Sequence, residues 1–302
     1  MSDEISVTAV PRMIRHLGTV ALLLALTLAP RLAAADMTRL RLLFVGDAAP
    51  FSSVNTGGTP EGYAVTLCER IASEVRPGMS PSWRETAIAE GLDLLAHDEA
   101  DLLCGPVSDT VAREQHVDFS SPIAIGGIGA VLRPGAPPWL LRLLNVDNVD
   151  PLPPRALLFK LDWPRRIAVL RGGTAVNWLE TLLSRSQADV VTIPVADYDE
   201  AARRLVSGDV GAWVGEWAVL SQHVRTDPRL ANTTLIPRPI VGEPLAIATR
   251  SDPALRRAVQ AALSAILHGP EFEAMAVHWF GQAGRAQVST IQSVTPRSEL
   301  AP

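Results

Sequence analysis

The sequence predicts an α/β protein of two lobes built on one plan. From Leu40 onward, short apolar runs alternate with stretches of helical periodicity, the pattern of a largely parallel sheet flanked by helices. Two separate segments, LDLLAHDEADLLCG (92–105) and ARRLVSGDVGAWVGE (202–216), repeat one design: a helix, a tight polar turn, and an apolar strand that runs out at a glycine. The length of 302 residues accommodates one large domain or two of ordinary size.

The elements follow in order. LRLLFVGD (40–47) reads as the first strand, and AAPFSSVNTGGTPEG as a turn-rich loop with a hairpin at Gly57–Gly58. In YAVTLCERIASEV, residues Val65, Leu67, Cys68, Ile71 and Val75 fall on one helical face. A strand is expected around Trp83, a helix over AIAEGLDLLAHDEA, and a third strand at DLLCG. The second unit opens with RRIAVLRGGTAVNWLETLLSR: a strand, a Gly–Gly turn, and a helix from near Thr174. DVVTIPV is a strand, and DYDEAARRLVSGDVGAWVGE is a helix, a turn and a strand. SDPALRRAVQAALSAIL carries Ser251 or Asp252 as N-cap and Pro253 in its first turn. Its buried stripe is Leu255, Val259, Leu263 and Ile266. Gly269–Pro270 ends it, EFEAMAVHWFG is a last short helix, and the polar tail 285–302 is expected to be flexible. Between the two units lies a stretch, 134–164, that is rich in both proline and apolar residues. It reads as a loop packed on the second lobe, with a partner-contact surface as the other reading.

The amino terminus stands apart from the fold. Arg12 and Arg15 precede the apolar run LGTVALLLALTLAP, and RLAAAD follows. A basic region, a short apolar core and a small-x-small site make 1–35 a secretory signal peptide, cleaved after Ala35, with Met13 as an alternative start. The run is shorter than the roughly 20 residues of a spanning helix, so the mature protein is expected to be exported and not membrane-spanning. The net charge of −5, with no dominant basic patch, argues against a nucleic-acid partner. Export gives the two cysteines, Cys68 and Cys104, a compartment in which a disulfide persists. Buried free thiols are the other reading, and compartment and even count favour the bond.

Catalytic motifs are missing from the sequence. The six histidines show no metal-ligand spacing, and there is no G-x-S-x-G or phosphate-binding glycine loop. No catalytic residue, metal or cofactor is therefore expected. RGGTAV could hold an anion on backbone N–H groups at a helix start, or be a plain turn. Arg113 reads either as a solvated charge or as a two-pronged carboxylate clamp on the first turn of a short helix. Glu216 closes an apolar strand, at the sheet edge where α/β folds place their sites.

These pieces stand in a familiar order. Thr110-Val111-Ala112-Arg113 is followed by Val117-Asp118-Phe119-Ser120-Ser121-Pro122. GYAVTLCERIA, LVSGDVGAWVGE and HWFG (278–281) complete the set. From about Leu40 to Gly281 the chain resembles the family 3 extracellular solute-binding proteins, periplasmic receptors that feed ABC importers. The cysteine pair resembles a subgroup of them. The resemblance implies a two-lobed periplasmic-binding-protein type II fold, each lobe a mostly parallel sheet flanked by helices, with two hinge crossings. Lobe one would be 36–133 plus 245–284, and lobe two 134–244 including the 134–164 insertion. It implies a monomer that binds an amino acid or related carboxylate between its lobes and hands it to an ABC permease. By motif, Arg113 would hold the ligand carboxylate, with Ser108, Thr110 and the Gly105 backbone adding hydrogen bonds. Asp47 would be a cleft acid. Gly173 and Thr174 would approach the carboxylate from lobe two, and Glu216 would take the ammonium group. The chain departs from the pattern at Gly211, where the family has Asp, near Ile88, where it has an aromatic, and in the 134–164 insertion. Two other functions fit the same scaffold: an exported dehydratase of prephenate-like acids with Glu216 as proton donor, and a ligand sensor for a membrane kinase.

Overall fold

A computed structural model describes residues 39–144, 163–186 and 188–296. The expected signal peptide, 1–35, and the middle of the proline-rich stretch, 145–162, lie outside the described residues. In the first half, β1 (Arg41–Phe44) runs parallel between β5 (Ser82–Glu85) and β6 (Leu102–Ser108). Leu42, Leu43 and Phe44 are all buried, as a strand covered on both faces requires. Three short antiparallel strands, β2 (Asp47–Ala48), β3 (Ser52–Val54) and β4 (Pro60–Glu61), stand where the hairpin was expected. Helix α1 (Tyr63–Val75) buries Tyr63, Leu67, Cys68 and Ile71, and Cys68 is disulfide-bonded to Cys104 of β6. Helix α2 (Ile88–Ala96) leads to Asp101, which is buried at the foot of β6. Its carboxylate accepts bonds from the Arg41 N–H (2.8 Å), the Arg41 guanidinium and Arg250 Nε (2.8 Å). Those donors hold its pKa below the usual carboxylate value against the opposing effect of burial.

The second half repeats the plan. β9 (Arg166–Leu170) lies parallel between β10 (Val191–Val195) and β11 (Ala212–Glu216). Helices α4 (Thr174–Ser186), α5 (Tyr198–Ser207) and α6 (Trp217–Thr226) belong to it. Helix α5 starts where Asp197 accepts from the Glu200 N–H at 2.6 Å and stops at Gly208 in the left-handed region, φ 85°.

Two long strands join the halves. After the short β7 (Asp118–Phe119), β8 (Ala124–Leu132) leaves the first half. β13 (Val241–Thr249), preceded by β12 (Thr234–Leu235), returns to it. They pair antiparallel over Ala124–Ile128 and Val241–Leu245. Beyond that ribbon β8 joins β11, and β13 joins β6. The sheet order among the described residues is β10-β9-β11-β8-β13-β6-β1-β5.

The chain then returns to the first half as α7 (Pro253–His268), α8 (Phe272–Phe280) and α9 (Gln282–Val294). Asp252 is the N-cap of α7, accepting from the Ala254 and Leu255 N–H groups. The expected flexible tail is corrected here, since residues 285–294 are helical. Ile291 is buried in the core, and the Ser264 hydroxyl donates to the Pro296 carbonyl at 2.8 Å. One apolar residue per few turns suffices when a neighbouring helix offers a slot.

The described ends of the proline-rich stretch are packed. In α3 (Pro138–Leu143) and just after it, Leu140 and Leu144 are fully buried. The Trp163 ring meets Trp139 edge-on at 6.1 Å and lies on Gly211, where a β-carbon would come within 2.2 Å of it. That explains the Gly211 departure, because any side chain there would collide with the indole. Among the described residues no helix is long and apolar enough to cross a membrane.

Candidate functional site

β6 ends at Ser108, and the next residues turn back sharply. Thr110 governs the turn: its carbonyl accepts from the Arg113 and Glu114 N–H groups at 2.9 and 3.0 Å. Residues 111–116 form a run of turns in place of the expected short helix. The turn aims Arg113 at the second half. Its Nη1 donates to the Ser108 carbonyl at 2.7 Å and its Nη2 to the Gly172 carbonyl at 2.9 Å. Burial pulls the Arg113 pKa below its ordinary value, while the negative charges of Glu243 and Asp109 oppose the shift.

From the other side, β9 ends at Leu170 and the chain enters α4 through Gly172 and Gly173. Gly172 has φ +76°, and a β-carbon there would lie 2.6 Å from the Ala89 β-carbon of the first half. This close approach presents Thr174, the first residue of α4, to Ser108, with the hydroxyl oxygens 3.5 Å apart. Both hydroxyls donate to one oxygen, Oε2 of Glu243, each at 2.7 Å. Glu243 stands on β13, opposite Gly126 of β8, in the ribbon that joins the halves. A side chain from each half thus converges on one carboxylate, with the Arg113 charge beside it.

Glu216 closes β11 next to this cluster. Its two oxygens accept from the Gly127 N–H (2.9 Å) and the Ala218 N–H (3.2 Å). Burial raises its pKa to about 7, against those two bonds, and the nearby Glu243 charge pushes the same way. Glu216, Glu243, Ser108, Gly173, Thr174 and Ile88 line an inner cavity of about 30 Å³. Across Ile88 and Leu170 lies a wider mouth of about 340 Å³. Asp47, Glu85, Asp197, Asp199 and Arg171 are on its wall.

Among the sequence-predicted residues, Ser108, Gly173, Thr174 and Glu216 line the inner cavity, while Arg113 stands outside it and bridges the Ser108 and Gly172 carbonyls. Asp47 stands at the mouth and ties the halves together. Its carboxylate accepts from the Tyr198 N–H at 2.6 Å, and its carbonyl oxygen is 3.0 Å from His223 Nε2. Burial raises the Asp47 pKa, an effect that the bond from Tyr198 opposes. Thr110 shapes the turn and is one step removed from the cavity. Gly105 lies inside β6, its α-carbon facing Ser52 and Val45, and Pro106 and Ser108 take the cavity side. Glu243 was missed by sequence reasoning. Its signal was an acid set inside the apolar run VGEPLAIAT. Among the described residues, no group of His, Cys, Asp and Glu could hold a metal ion.

The model of the bacterial extracellular solute-binding proteins, family 3, matches residues 40–282. The chain belongs to that family. A search of curated proteins returns no match. Solved structures similar to this chain include an ancestral arginine-binding protein bound to arginine, 22% identical with a TM-score of 0.67, covering 81% of this chain and 99% of that one. An ancestral amino acid-binding protein, a precursor of cyclohexadienyl dehydratase, is 20% identical with a TM-score of 0.64 (82% and 96% covered). A histidine kinase sensor domain with similarity to periplasmic binding proteins is 22% identical with a TM-score of 0.64 (80% and 96% covered). The mixed α/β architecture of this family 3 protein is therefore the periplasmic-binding-protein type II fold.

Proposed function

We propose that this chain is an exported receptor that binds a small polar solute, an amino acid or a related compound, between its two halves and presents it to an ABC importer. The halves are 36–133 with 245–284, and 134–244. One observation carries the reading: Ser108 from one half and Thr174 from the other converge on a single carboxylate, and Arg113 bridges the halves beside it. Hydroxyls, one of them at a helix start, with a guanidinium nearby are a carboxylate-binding set, and gathering them from both halves couples binding to closure. Ligand-binding roles are assigned to Ser108, Arg113, Gly173, Thr174 and Glu216, with Asp47 at the mouth. Isothermal calorimetry with a panel of amino acids, amines and organic acids tests this. At least one solute should bind, and Arg113→Ala should weaken it; a silent panel with no effect of Arg113→Ala would retire the reading. Pull-down from membranes separates an importer from a sensor kinase as the partner.

One observation favours a second reading. Glu216 is enclosed and keeps its proton to about pH 7, which suits a general acid. In that reading the protein is an exported dehydratase of prephenate-like acids, and incubation with prephenate or arogenate under an absorbance readout decides it.

A further inference from the structure

Resting on the solute-receptor reading, we propose that Glu243 is a built-in carboxylate that sets ligand class: the cleft takes an organic amine and rejects the amino acid that carries the same side chain. A hydroxyl has one proton to donate, and those of Ser108 and Thr174 both go to Glu243 Oε2 at 2.7 Å. The Arg113 guanidinium is engaged with the Ser108 and Gly172 carbonyls. An incoming α-carboxylate would meet occupied donors and a like charge where its own oxygens must go. An ammonium group would meet the reverse, with the Glu243 charge on one side and the Glu216 oxygens as acceptors on the other.

The route inward has the same character. Four carboxylates, those of Asp47, Glu85, Asp197 and Asp199, and the guanidinium of Arg171 line the mouth; Asp199 is paired with Arg203 and Arg229, which leaves three carboxylates against Arg171. A cleft walled by one sign of charge concentrates ligands of the other. The mouth, at about 340 Å³, accommodates the body of a small amine whose ammonium points past Ile88 and Leu170 toward the two inner glutamates. Glu243 is thus a specificity-determining residue, standing in for the carboxylate that the ligand lacks.

Matched pairs test the inference: agmatine and arginine, cadaverine and lysine, histamine and histidine. Each is titrated by calorimetry into the wild type, Glu243→Gln and Glu243→Ala, with melting curves to verify that each variant folds. Like charges brought together in a binding site repel, so one amine should bind on the order of 100-fold more tightly than its amino acid. In both variants that ratio should collapse, the amino acid gaining and the amine losing. Glu243→Gln keeps the side-chain size, so a collapse there reports charge. The proposal is overturned if an amino acid binds the wild type as tightly as its amine. It is also overturned if the preference survives both substitutions, or if only a carboxylate from the wider panel binds, and in that last case the receptor reading stands. If no solute binds any of the three proteins, the receptor reading falls and takes the proposal with it.

Discussion

Glu216 gives the protein a pH signature. Burial lifts its pKa from an ordinary 4.5 to about 7 in the folded state. Between those values the folded protein keeps a proton that the unfolded chain has released, so stability falls as pH rises through that window and levels off above it. The slope is about 1.4 kcal/mol per pH unit, and the loss across the window comes to about 3 kcal/mol. Glu216→Gln keeps the shape and deletes the titration. An amide offers only one acceptor oxygen, whereas the Gly127 and Ala218 N–H groups both need one. The variant should therefore be about 1–2 kcal/mol less stable than wild type at pH 5, and this deficit should shrink or reverse by pH 8. Urea denaturation at half-unit steps from pH 5 to 8.5 measures it. Carboxylates remote from Glu216 cancel in the difference. Parallel stability curves, with the same gap at pH 5 and pH 8, would refute the enclosure of this carboxylate.

Three further outcomes are expected. Replacing both Cys68 and Cys104 by Ser should lower unfolding free energy by about 4 kcal/mol, the chain-entropy value for a loop closed across 36 residues, and urea denaturation of the oxidised protein against the variant checks it. Gly172→Ala places a methyl against Ala89 at a left-handed backbone position. It should weaken ligand binding by about 10-fold or more through impaired closure, with about 1 kcal/mol lost in stability; calorimetry and melting curves on one preparation separate the two. Arg113→Lys keeps the charge but lacks the fork that reaches the Ser108 and Gly172 carbonyls together. It should also bind ligand about 10-fold more weakly, and affinity equal to wild type would show that the bridge is idle.

The strand–helix alternation of each half was legible in the sequence, because strands such as LRLLF and helices such as Tyr63–Val75 carry clean periodicity and are buried by it. The joining ribbon was not. β8 contains Gly126, Gly127 and Gly129, and β13 contains Pro244, residues that read as loop when local propensity is the only guide. Their strand conformation is imposed by each other and by Glu216, whose carboxylate needs the Gly127 N–H. The site divided the same way. Arg113, Thr174 and Glu216 sit at element ends that the sequence marks. Glu243 takes its role from a pairing across 135 residues with Ser108 and 69 with Thr174, a relation that local spacing does not encode. The polar tail misled because composition cannot show that Ile291 has a slot waiting.

The position of Glu243 in the ribbon sets what an opened cleft looks like to an approaching solute. Arg113 and Gly172 belong to separate bodies, so their bond is lost when the bodies part. Glu243 belongs to the axle between them and holds one hydroxyl from each. In the proposed receptor, parting the halves would break one of those two bonds and leave the other, with the carboxylate still between the jaws. The Glu243 charge would therefore face the gap before capture as well as after it. The attraction that selects a ligand acts during the approach, ahead of any closure.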